Sequence, residues 1–66
     1  MSYYRLLFMK SPDGPVIGSE EIAARDDLEA VHLASERIGP RPLELWCDKR
    51  KIKRFQAVEA QPSFAF

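Results

Sequence analysis

The chain is short of the residue types from which most sites are built. One Cys and one His occur among 66 residues. A single thiol has no intramolecular disulfide partner, and one Cys with one His assembles no zinc site at any spacing. Ten basic and ten acidic side chains cancel, which argues against a general affinity for polyanions. The longest strongly apolar run, Leu6 to Met9, is far too short to cross a bilayer. No basic segment followed by a long apolar run marks a secretory leader, so none is expected. Gly14 and Gly18 make no phosphate loop, because no Gly-rich run precedes a helix with a following Lys. A disulfide scaffold, a zinc module, a membrane span and a phosphate-loop nucleotide site are thereby excluded. A lone Cys suits a reducing compartment, where it packs as a small apolar residue, and the expected setting is the cytoplasm.

What is present fits one domain of about 58 residues followed by a tail. A chain this short buries only about 60% of the surface its unfolded form exposes, so its core is marginal without help. With no disulfide or metal to add, self-association is the remaining source of buried area, and a homodimer is expected.

Residues Tyr3 to Lys10 read as a strand, with two Tyr and a Phe and no Gly or Pro. Both of its faces are largely apolar, as suits an inner strand. The segment Ser11-Pro12-Asp13-Gly14-Pro15 is dense in turn formers, with Gly14 free to take a positive φ. A second, irregular edge strand is expected from Val16 to about Ala24. The helix follows, capped by Asp26, with Glu29 three residues on in a capping-box-like arrangement and acids suited to the positive end of the dipole. Leu28, Val31, Ala34, Ser35 and Ile38 form its expected buried stripe, with Ala30 at the border and Leu33 on the polar side. Gly39, Pro40 and Pro42 end it.

A hairpin comes next: Leu43 to Asp48, a turn around Lys49-Arg50, then Lys51 to Val58. The tail from 59 to 66 has no period and is expected to lack fixed structure. The element order is ββαββ. A right-handed crossover through the helix sets the third strand beside the first, which predicts an α+β fold: a four-stranded antiparallel sheet in the order 2-1-3-4, with one helix on one face.

One helix cannot cover both faces of such a sheet. The second face is expected to carry a row such as Tyr4, Trp46 and Phe55, or the opposite set, and the tail adds Phe64 and Phe66. These five are the candidate interface residues, of the types enriched where proteins meet. The second candidate region is cationic. Five of the six residues from Lys49 to Arg54 are basic: Lys49, Arg50, Lys51, Lys53 and Arg54. With Trp46 and Phe55 beside them they match the recipe for a single-stranded nucleic acid, cations for phosphate and rings for bases. Basic residues also keep edge strands from pairing, so a solvated hairpin is the plainer reading.

Catalysis finds no support. Cys47 and His32 are the available nucleophile and base, yet no signature surrounds either, and Cys47 alternates with Leu43 and Leu45 as a packed thiol would. The adjacent carboxylates Glu20-Glu21 and Asp26-Asp27 do not point the same way on a strand or helix, so neither pair is an acid/base couple. The reading is a non-enzymatic module without cofactor or metal, dimeric or docking a protein partner through its sheet, with nucleic-acid binding by the basic hairpin as the alternative.

The pattern Tyr4-x-Leu6-x-Phe8, Asp13-Gly14, Asp26-Asp27-x-Glu29-Ala30 and Glu44-Leu45-Trp46 with Arg50 resembles a group of short α-proteobacterial proteins of no known activity, over about residues 3–55. The resemblance implies a bacterial cytoplasmic setting and no particular chemistry. The opening strand–turn–strand–helix is also similar to that of HicB-type antitoxins, whose DNA-binding extension has no counterpart in these residues.

Overall fold

The structure is a computed structural model and describes residues 1–58; the expectation for the tail, Phe64 and Phe66 included, lies outside the described residues. Four strands and one helix occur in the order β1 (Ser2–Met9), β2 (Val16–Ala24), α1 (Asp27–Ser35), β3 (Leu43–Cys47) and β4 (Arg50–Phe55). The sheet order is β2-β1-β3-β4, with every neighbouring pair antiparallel. This is the predicted ββαββ, α+β arrangement.

Gly14 takes φ 97°, as its place after Asp13 predicts, and its N–H donates to the Ser11 carbonyl at 2.9 Å to close the β1–β2 turn. A non-glycine residue at that φ is strained. The second turn comes one residue earlier than expected. Asp48, at φ 56°, bends the chain, so that Cys47 pairs with Arg50. Asp tolerates this left-handed region better than most side chains. The register then slips between Leu45 and Trp46, where Leu45 pairs with Lys53 but Trp46 with Lys51. Ile52 is the extra residue of this bulge. It packs against the core together with Phe55, which simple alternation along β4 had put on the other face.

The core lies between sheet and helix. Leu6, Leu43 and Leu45 are its largest fully buried side chains, joined by Tyr4, Ile22, Ala24, Ala30, Ala34 and Phe55. Burying each Leu is worth about 1.5–3 kcal/mol relative to leaving it in water.

The helix is capped as predicted, with Asp26 accepting from the Glu29 N–H at 2.9 Å. Glu29 reaches back one residue further than a standard capping box, accepting from the Arg25 N–H at 2.7 Å. Two expectations for this helix are corrected. It ends at Ser35, because Arg37 and Ile38 donate three residues back, to Ala34 and Ser35, and tighten the chain out of α geometry. Its buried stripe is also rotated. Ala30 and Ala34 are fully buried, Val31 and Leu33 pack beside them, and Leu28 is 79% exposed. Only methyl-sized groups fit where the helix lies flush on the strands, so the two Ala take the centre and the larger Leu28 turns outward.

Candidate interaction surface

Ion pairs clamp the two ends of the helix to the sheet. Tyr4 donates its hydroxyl to Asp27 at 2.7 Å, and Arg50 reaches the other oxygen of the same carboxylate at 3.2 Å. The Asp27 hydrogen bond and burial push the Tyr4 hydroxyl up to about 12. The same two partners, Tyr4 first and then Arg50, hold the Asp27 carboxyl below its ordinary value. At the other end, Arg37 grips Glu20 through two bonds of 3.0 and 2.9 Å. The adjacent acids are thus split as predicted. Asp26 caps while Asp27 joins the clamp, and Glu20 turns to the helix while Glu21 stands exposed opposite Arg5.

The other face of the sheet has no layer over it among the described residues. Register puts Tyr3, Arg5 and Leu7 of β1 there, beside Ala23, Glu21 and Ser19 of β2, with Trp46 and Glu44 of β3 across from Arg5 and Leu7. Lys51 and Arg54 of β4 complete it, opposite Trp46 and Glu44. Tyr3 is 64% exposed, and Leu7 and Trp46 are half-buried. A concavity of about 450 Å³ lies between them, lined by residues that include Tyr3, Arg5, Leu7, Glu21 and Trp46.

Two of the candidate interface residues are corrected here. Tyr4 and Phe55 are buried, at 3% and 6% exposure, in the helix-side core. Tyr4 is one residue out of phase with Tyr3 along β1, and the bulge at Ile52 swings Phe55 inward. Trp46 alone of the described candidates lies on the open face, and Tyr3 and Leu7 join it.

At the centre of that face is a side chain whose role the sequence did not flag. Glu44 is 6% exposed and is the one buried charged residue among those described. Its carboxylate accepts from the Trp46 indole N–H at 3.0 Å and lies 3.5 Å from Lys51 Nζ and 3.6 Å from an Arg54 nitrogen. The Trp46 hydrogen bond, followed by the charges of Lys51 and Arg54, lowers the carboxyl against the opposing effect of burial. Lys51 also stands over the Trp46 ring, 5.6 Å from its centroid. A carboxylate two residues from a Trp on one strand and opposite basic residues on the next was the available signal. Reading it requires the register, which the bulge sets.

These contacts occupy most of the cationic run. Lys51 and Arg54 face Glu44, Arg50 holds Asp27, and Lys53 stands over the Phe55 ring at 5.5 Å, while Lys49 is in the turn. Cys47 and His32 are not brought together. The thiol is half-buried, 3.6 Å from the Tyr3 carbonyl, whereas His32 is exposed with Nε2 3.8 Å from Glu36. Among the described residues no group of three His, Cys, Asp or Glu is placed to hold a metal ion, and no helix is long and apolar enough to cross a membrane. No family model, curated protein or solved structure matches the chain.

Proposed function

We propose that this chain is a non-enzymatic interaction module that pairs with a second copy of itself through the open face of its sheet. The observation that carries the reading is the uncovered row of Tyr3, Leu7 and Trp46, while the one helix among the described residues, nine residues long, packs on the opposite face. Tyr and Trp give large contact area at small entropic cost, and a small domain gains from burying them. Glu44 supports the same reading. Its contacts with Trp46, Lys51 and Arg54 hold the ring and both cations in one arrangement before any partner arrives, which lowers the ordering cost of association. A bacterial cytoplasm is the setting we attach to this reading, on the resemblance and the lone half-buried thiol.

Light scattering at micromolar concentration is the test. An oligomer is expected, and Leu7→Glu, which sets a charge into the middle of the face, is expected to lower its mass. A wild-type monomer ends the proposal. Nucleic-acid binding by Lys49, Arg50, Lys51, Lys53 and Arg54 draws less support, because three of these five cations already face carboxylates. Trp46 fluorescence should not change when single-stranded DNA or RNA is added at low salt. A salt-sensitive change would promote this alternative.

A further inference from the structure

One row of side chains crosses all four strands of the open face. In register it runs Glu21 of β2, Arg5 of β1, Trp46 of β3 and Lys51 of β4. The three charged residues are exposed and Trp46 is half-buried. Lys51 lies near Glu44 and over the Trp46 ring, whereas no ion pair among the described residues uses Glu21 or Arg5. The row is therefore acidic at one end and cationic at the other, with a guanidinium beside an indole in the middle. Laid on its own reverse it is complementary at every place: carboxylate on ammonium, guanidinium on indole.

We infer that two copies stack open face to open face with their strands aligned, about a twofold axis running along the strands between β1 and β3. The inference rests on the proposed self-association and fixes its geometry. Rotation about such an axis keeps position along a strand and reverses the order of strands, so the row meets itself reversed. Glu21 of each copy faces Lys51 of the other, and Arg5 of each faces Trp46 of the other, where a cation is attracted to the ring. One row along, Leu7 faces Glu44, a carboxylate that Trp46, Lys51 and Arg54 already satisfy, so no unpaired charge is buried. An axis running across the strands would instead stack each strand on its own copy. It would set Lys51 and Arg54 of β4 against the same cations, and like charges brought together at an interface are costly. Charge thus selects the aligned arrangement.

The test uses the full chain with Cys47→Ser, into which Glu21→Cys and Lys51→Cys are introduced separately. Face-to-face sheets stand about 10 Å apart, a gap that a short bismaleimide spans. An equal mixture of the two variants is expected to give several-fold more covalent dimer than either variant alone. Glu21→Gln, with Cys47 retained, is expected to weaken association several-fold in light scattering, and added salt to weaken the wild type in the same direction. Circular dichroism checks that each variant is folded. Crosslinking that is strongest within Glu21→Cys alone, or association that Glu21→Gln tightens or leaves unchanged, overturns the aligned arrangement. A mixture that gives no crosslink also overturns it, and the open-face reading stands if the wild type is an oligomer whose mass falls with Leu7→Glu. A wild-type monomer overturns both.

Discussion

The two faces of this sheet are built from the same four strands by opposite means. Under the helix, Leu6, Leu43 and Leu45 are sealed by Ala30 and Ala34, and polar groups enter only at the margins, through the Tyr4–Asp27 and Glu20–Arg37 clamps. On the open face the centre is a carboxylate, ringed by an indole, an ammonium and a guanidinium. The first face is held by removing apolar area from water, which needs no particular partner geometry. The second is held by directional contacts that keep large side chains in fixed positions at the surface. Such a difference suits a face that holds the domain together and a face that meets something else.

The largest expected effect breaks the covered face. Leu45→Ala removes a fully buried side chain and is expected to cost about 2–5 kcal/mol in denaturant unfolding, a large share of what so small a domain has. Close behind is Ala34→Leu, which forces a larger group between helix and sheet, at about 1–3 kcal/mol. Leucine tolerated there would show that the helix does not lie flush.

On the open face, Glu44→Gln keeps the side-chain shape while removing the charge beside Lys51 and Arg54. A loss of about 1–2 kcal/mol is expected. Its pH signature is separable. Because the folded carboxyl is lowered, its stabilisation is present above the unfolded carboxyl value of about 4.3 and is lost as pH falls through the lower folded value. The unfolding midpoint of Glu44→Gln should therefore converge on that of the wild type in acid.

The covered face has the opposite signature. The Tyr4 hydroxyl is raised from 10.0 to about 12, so its contribution is complete below pH 10 and falls away as pH rises toward 12. Tyr4→Phe should flatten that alkaline loss, followed by circular dichroism against pH. The smallest effect is expected of Leu28→Ala, at most about 0.5 kcal/mol, since Leu28 is 79% exposed. A larger cost would return the buried stripe to where periodicity had put it.

The misplacements share a cause. Tyr4 and Phe55 looked like surface aromatics because period-two alternation leaves the choice of face open, and one inserted residue reverses it for the rest of a strand. At Ile52 no Gly or Pro announced the insertion. The buried helix stripe differs from the one that apolar size and spacing predict, with Ala30 and Ala34 inside and Leu28 outside. On a flat sheet the closest approach belongs to the smallest side chains. Glu44 passed unnoticed because its three partners come together only once β3 and β4 are in register.

Local chemistry determined the elements and their order. Asp13-Gly14 made the first turn, Asp26 and Glu29 started the helix, and Pro40 and Pro42 stood beyond its end. A crossover through that helix was enough to set β3 against β1. The tertiary structure decided which side of each strand is dry, which Ala of the helix touches the sheet, and that a carboxylate stands at the centre of the open face. Those are properties of register and contact distance, and a shift of one residue along a strand exchanges its inside for its outside.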